Sequence, residues 1–220
     1  MDNLTYVLFI CVVAPLLLTL FVLDRKAKRA MGFILIGMLV CLFVSEVNGL
    51  ISRTVLGENM FYLTTSITPV TEEIVKAIPV VFFALVFSDD IKDLAIVSFC
   101  TGIGFAVLEN LVILTQNIQS VGIFWAVIRG FSSGLMHGIC TLLAGICLSM
   151  LHRRKKLFYC GMFALLNLAI VYHAIFNCLV QASSKVLNYV GFALPILTYI
   201  VIILKVLNGM KAQKDKAAHT

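Results

Sequence analysis

LTYVLFICVVAPLLLTLFVL, residues Leu4–Leu23, is a run of twenty residues without a single charge. At 1.5 Å of helical rise per residue, about 20 apolar residues cross the roughly 30 Å hydrocarbon core of a bilayer. The run therefore reads as a membrane-spanning helix. No basic segment precedes it and no small-residue cleavage site ends it, so a retained first helix is expected rather than a signal peptide. Six further apolar segments follow at about 31–51, 69–87, 94–114, 127–150, 157–182 and 187–204. Their apolarity is continuous, unlike the alternation of a membrane barrel, and helices satisfy their own backbone groups in lipid. The expected fold is all-α: a polytopic transmembrane helix bundle of about seven spans, in a single membrane domain over 1–220 with its core at 62–182.

Composition agrees. Charged residues make up 13% of the chain and hydrophobic ones 61%, against roughly 25% charged in soluble proteins. So few charges could not cover a soluble domain of this length. The net charge of +6 sits in short loops and the C-terminal tail. The expected surroundings are therefore a lipid bilayer, with no nucleic acid as partner. Seven cysteines lie scattered through apolar segments with no C-x-x-C pair. They read as small hydrophobes rather than a disulfide framework.

Basic residues set orientation. Arg25, Lys26, Lys28, Arg29, Lys92, Arg153, Arg154, Lys155, Lys156, Lys205, Lys211, Lys214 and Lys216 fall on one side of a seven-span chain. Only Arg53 and Lys185 fall on the other. Basic residues favour the cytoplasm, so the N-terminus is expected outside and the C-terminus cytoplasmic. Lys76 and Arg129 lie within or at the edge of spans; Arg129, near Trp125, reads as an outer boundary, with the linker Thr115–Ser120 outside. Thr68-Pro69 reads as an N-cap with proline at the first helical position, which leaves 61–68 at the outer interface.

Ionisable residues inside spans are costly, by roughly 2.5–3.5 kcal/mol each on insertion scales, and point to function by default. Here they are Glu46, Glu72, Glu73, Lys76, Glu109, His137 and His173, with Asn48, Asn110 and Asn177 beside them. Lys76 is four residues from Glu72 and three from Glu73, so either can pair with it. A single Glu–Lys pair could merely lock helices together, but here a second carboxylate is left over. Glu109 alone could be a snorkelling interfacial carboxylate, and Glu46 with Asn48 reads as structural. His137 lies among small residues in Gly134–Gly138, and His173 and Asn177 share one helix face. By helical rise, Glu73 lies roughly 6–8 Å below the outer end of its span, Glu109 roughly 8 Å, His137 roughly 12 Å and His173 roughly 14 Å. Helices of opposite direction thus carry polar groups at one level, in the outer half.

Peptide hydrolysis needs an activated water, a proton donor for the leaving amine and donors for the oxyanion. A glutamate with an imidazole can polarise the water, and a second histidine with an amide can hold the oxyanion. Two imidazoles and a carboxylate also suit zinc, as His137 and His173 with Glu73 or Glu109. No H-E-x-x-H motif is present. The sequence leaves the cofactor open and leans towards a metal-free glutamate/histidine mechanism. Asn177, one turn from His173, could share one oxygen with it, and zinc would not need the amide.

Four motifs occur in order on four successive spans: Glu72-Glu73-Ile74-Val75-Lys76, Phe105-Ala106-Val107-Leu108-Glu109-Asn110, His137, and His173-x-x-x-Asn177. Over about 70–180 the chain resembles the PrsW intramembrane proteases, within the larger group of CAAX prenyl endopeptidases and bacteriocin-processing membrane enzymes. The resemblance implies an intramembrane endopeptidase of a bacterial cell membrane. Its implied act is the first, extracytoplasmic-side cut in a single-span anti-sigma factor, as part of a stress response. It implies Glu72, Glu73, Glu109, His137, His173 and Asn177 as catalytic residues, supported by Lys76 and Phe105. In the group the first glutamate is usually the base, whereas helix spacing here allows either. CAAX endopeptidases carry Glu-Glu-x-x-x-Arg and Phe-x-x-x-His, so Glu-Glu-x-x-Lys and Phe-x-x-x-Glu argue against prenyl-peptide processing. Two other classes fit buried Glu and His residues: a proton- or ion-coupled transporter, and a non-catalytic scaffold or receptor. No internal repeat favours the transporter.

Overall fold

Each of the seven apolar segments is helical in the computed structural model, which describes residues 3–56, 59–117, 122–150 and 155–218. The helices are α1 (Asn3–Thr19), α2 (Arg25–Ile51), α3 (Met60–Tyr62), α4 (Thr68–Val86), α5 (Ile91–Gln116), α6 (Ile123–Leu148), α7 (Lys155–Val180) and α8 (Lys185–Ala218). Two π-helical turns, Ser52–Leu56 and Leu63–Ile67, flank α3. Among the described residues, five helices are long and apolar enough to cross a membrane. Residues 118–120 of the expected outer linker and 153–154 of the basic group lie outside the described residues.

Three expectations need correction. The run Leu4–Leu23 does not stay helical to its end. The chain leaves α1 through short backbone bonds (Leu20 to Leu17, Phe21 to Leu18, Val22 to Thr19) and turns into Asp24. There the carboxylate accepts from the Ala27 N–H at 2.8 Å and caps α2. Nor is Thr68 an N-cap: its φ −54 and ψ −47 are helical. The helix begins instead at Met60, capped by Asn59, whose side chain accepts from the Tyr62 N–H at 3.0 Å. Finally, α8 continues as helix through the lysine-bearing tail to Ala218.

Pro69 accounts for the second π turn. Its ring cannot approach the carbonyl four residues back, and it has no N–H to give. One extra residue relieves the clash, and the Thr68 N–H bonds to the Leu63 carbonyl instead. The Thr64 carbonyl thereby loses its backbone donors at both spacings. Asn177 on α7 supplies one, its Nδ2 donating to that oxygen at 2.8 Å. The irregular turn ahead of Glu72 is thus tied to the helix that carries His173.

α5 packs most closely against α6 and α2. Gly102 on α5 lies against the backbone of His137, and Gly104 lies against the Ile34 backbone on α2. A Cβ at either position would overlap backbone atoms rather than a yielding side chain. Gly102→Ala is expected to push α6 away at His137 and destabilise the fold by about 1–3 kcal/mol. A thermal melt in detergent would read this, and an unchanged melting point would contradict the packing.

The outside of the bundle is apolar. Phe21, Ile123, Phe124 and Phe163 are more than 70% exposed. A continuous apolar surface of this kind suits hydrocarbon rather than water. Polar side chains turn inward, the pattern of a membrane protein with a polar interior site.

Candidate active site

Four helices converge on one buried cluster. α4 brings Glu72, Glu73 and Lys76; α5 brings Phe105 and Glu109; α6 brings His137; α7 brings His173. Glu72, Glu73, Lys76, His137 and His173 are all buried.

Lys76 chooses between the adjacent carboxylates. Its Nζ lies 2.6 Å from Glu73 Oε1 and 2.8 Å from His137 Nδ1. It also stands 4.8 Å from the centre of the Phe105 ring, a cation–π contact inside the bundle. Phe105 in turn packs against the His137 ring at 5.0 Å. Glu73 carries a second partner, His173 Nδ1, at 2.7 Å.

These contacts fix both neutral imidazoles. An ammonium can only donate, so His137 Nδ1 accepts from Lys76 and its proton resides on Nε2. That proton goes to Glu109 Oε2, 3.1 Å away. A carboxylate can only accept, so His173 donates from Nδ1 to Glu73 and keeps its lone pair on Nε2. Each ring is thus held by a carboxylate through one nitrogen; His173 keeps the other open, as in the carboxylate–histidine pairs that orient metal ligands, while His137 gives its other lone pair to Lys76.

Glu72 is different. Its Oε2 is buried without a hydrogen-bond donor, 3.8 Å from His137 Nδ1 and 3.8 Å from His173 Nε2. Each of Glu72, His137 and His173 offers a ligand atom, all within 4.8 Å of one another. Glu72 Oε2, buried without a donor among the described residues, and the Nε2 lone pair of His173 are open to a cation. His137 Nδ1 accepts from Lys76 and becomes a third ligand only when the ammonium gives that lone pair up. With that exchange the set fits a metal, and its carboxylate is Glu72 rather than the expected Glu73 or Glu109. Glu73 is occupied by Lys76 and His173, while Glu109 stands behind His137.

Asn177 lies on one face with His173, and its amide gives one proton to the Thr64 carbonyl across the helix gap. Arg129 lies in the second turn of α6 beside Trp125, its guanidinium 3.8 Å from Glu109 Oε2. Glu46 is structural, accepting from Tyr6 Oη at 2.6 Å and tying α1 to α2.

Two residues at the site escaped the sequence reading. Ser133 Oγ donates to Glu109 Oε2 at 3.2 Å, and Thr71 Oγ1 donates to Asn48 Oδ1 at 2.7 Å beside Glu72. A signal existed for the first. Arg129, Ser133, His137 and Thr141 recur every four residues, one polar stripe along α6.

Two cavities reach the cluster. One of about 350 Å³ is mostly apolar, walled by Cys41, Leu63, Phe105 and Leu108, with Glu72 in its lining. The other, about 530 Å³, lies towards Trp125, Arg129, Asn177 and Phe192. Thr68, Glu109 and Ile113 line both. Glu109, whose side chain is 25% exposed, is the least enclosed carboxylate of the site.

No curated protein and no solved structure matches the chain. Residues 25–206 match the family described as PrsW family intramembrane metalloprotease. The match takes in every helix that bears a site residue and accords with a carboxylate and two imidazoles poised for a cation; the chain belongs to the PrsW family of intramembrane metalloproteases.

Proposed function

We propose that this chain makes the first, extracytoplasmic-side cut in a single-span membrane protein of the anti-sigma-factor type. In this reading Glu72, His137 and His173 are the catalytic centre. The observation that carries it is Glu72 Oε2, buried without a donor and facing both imidazoles. A cavity lies on either side of Glu109 for an extended polypeptide. The seven helices cross the membrane with the N-terminus outside and the C-terminus cytoplasmic, supported by the basic residues gathered on one side. Reporter fusions at both ends test this, and a C-terminal reporter active outside the cytoplasm would reverse it.

Glu72, His137 and His173 would hold a divalent metal, which supplies Lewis-acid polarisation of a carbonyl and acidifies water. Glu73 and Lys76 act as positioning residues: Glu73 holds His173 by Nδ1, and Lys76 holds Glu73 and, until the Nδ1 lone pair goes to a metal, His137. Glu109 fixes His137 through Nε2 and borders both cavities. It is therefore placed to take a proton from the attacking water and return it to the leaving amide nitrogen. Asn177 has a second amide proton beyond the one given to Thr64, and it lines the larger cavity where substrate backbone would pass. The enclosing helices limit water around the reacting bond, which strengthens each of these interactions.

Purified protein in detergent, mixed with candidate anti-sigma-type single-span proteins, is expected to cut within or near the outer end of their span. The products, sequenced by mass spectrometry, locate the cut. Cleavage only at the cytoplasmic end, or none of any such substrate, would overturn the proposal.

A further inference from the structure

Arg129 has more hydrogen-bonding capacity than the protein uses. An arginine inside a span is costly and needs a reason. Neutralising Glu109 is an insufficient one. A guanidinium serving only that role would close on the carboxylate with two short parallel bonds. Arg129 stands off at 3.8 Å, at an oxygen that already accepts from His137 Nε2 and Ser133 Oγ. Its Nε is buried without a partner. The group is braced against Trp125, 5.6 Å from the ring centre, and its side chain, 11% exposed, lines the larger cavity.

That cavity opens at the end of the bundle where α5 gives way to α6 and α7 to α8, with Asn117 and Gln181 at its rim. Polar Thr64, Asn177 and Gln181 share its wall with Trp125 and Phe192. From Arg129 the path to the reacting centre is short: 3.8 Å to Glu109, 3.1 Å on to His137, and 3.8 Å on to Glu72. A guanidinium fork with free donors, held rigidly at a partly polar mouth, matches a carboxylate.

We propose that Arg129 and the larger cavity form a subsite for an acidic side chain of the polypeptide substrate, a few residues from the bond that is cut. Arg129 is then the specificity-determining residue. The inference rests on the polypeptide substrate proposed above and adds what that substrate must carry. An acidic residue flanking a substrate span can stay near water at the bundle end while the apolar span lies against the helices.

The test uses synthetic single-span peptides in detergent micelles. One Asp, or Asn in its place, is moved residue by residue through the segment flanking the outer end of the span. Binding is read by fluorescence anisotropy and cleavage by mass spectrometry. At one or two adjacent positions the Asp peptide is expected to bind about tenfold more tightly than its Asn counterpart, and to be cleaved with a correspondingly lower KM and similar kcat. Arg129→Gln should abolish the preference, and Arg129→Lys should retain part of it. Equal binding of Asp and Asn peptides at every position in the wild-type protein overturns the subsite, a comparison that needs no variant to fold. So does an Asp preference that survives Arg129→Gln. Cleavage without preference removes the subsite and keeps the peptidase; an Arg129-dependent binding preference without any cleavage keeps the subsite and removes the proposed cut.

Discussion

Glu73→Gln should cost about 3–5 kcal/mol of stability, the largest effect of any conservative change in the site. Glu73 Oε1 is 2.6 Å from the Lys76 ammonium, and both side chains are buried. Glutamine keeps the volume but removes the only carboxylate bonded to that cation among the described residues. A buried charge without its counter-charge is among the most destabilising arrangements a fold can hold. His173 would keep only a weaker, neutral anchor, since its Nδ1 proton goes to the same oxygen. The variant should therefore melt well below the wild type in detergent or fail to accumulate. Glu73→Gln combined with Lys76→Met should recover much of the loss, because the orphaned ammonium goes with it. An unaltered melting point for Glu73→Gln alone would mean that the ion pair is not what holds α4 in place.

Its sequence neighbour should behave in the opposite way. Glu72→Gln is expected to leave folding intact or slightly improved while lowering cleavage by about 100-fold or more, because a metal ligand loses its charge. Glu72 Oε2 has no donor among the described residues, so removing its charge breaks no bond at that atom and relieves a desolvated carboxylate. The same oxygen faces both imidazoles at 3.8 Å, so the loss falls on chemistry. Circular dichroism and melting establish folding, and cleavage of a single-span substrate establishes activity. A Glu72→Gln protein that cuts at the wild-type rate would move the centre elsewhere. The pair of variants separates holding from reacting in adjacent residues of one type.

How far the sequence foretold this differs between fold and site. The seven helices were legible because continuous apolar runs leave a membrane chain no other way to satisfy its backbone. The ends were less so. α1 stops at Thr19 although its apolar run reaches Leu23, because the turn into the Asp24 cap takes the last residues. The π turn before Pro69 depends on how one ring meets a carbonyl, which a hydropathy pattern does not carry. Within the site, three- and four-residue spacings placed Glu73 and Glu72 alike within reach of Lys76, and either pairing satisfied helix geometry. The decision for Glu73 comes from α6 and α7, which set His137 beside Lys76 and His173 beside Glu73. The bond from Asn177 to Thr64 was not legible for a related reason: sharing a face with His173 says nothing about a carbonyl on another helix left open by proline. Arg129 stands in step with Ser133 and His137, a four-residue register legible in the sequence that the reading of Arg129 as a boundary residue did not use.

The central claim is that Glu72, His137 and His173 together form a metal-dependent hydrolytic centre. Metal analysis of the purified, cleavage-competent protein, before and after chelation, tests it most directly. About one divalent metal per active chain is expected, lost together with cleavage on chelation and regained with it on adding metal back. His137→Ala and His173→Ala should each lack both. A chain stripped of metal by chelator that still cleaves its substrate at the untreated rate would contradict the account.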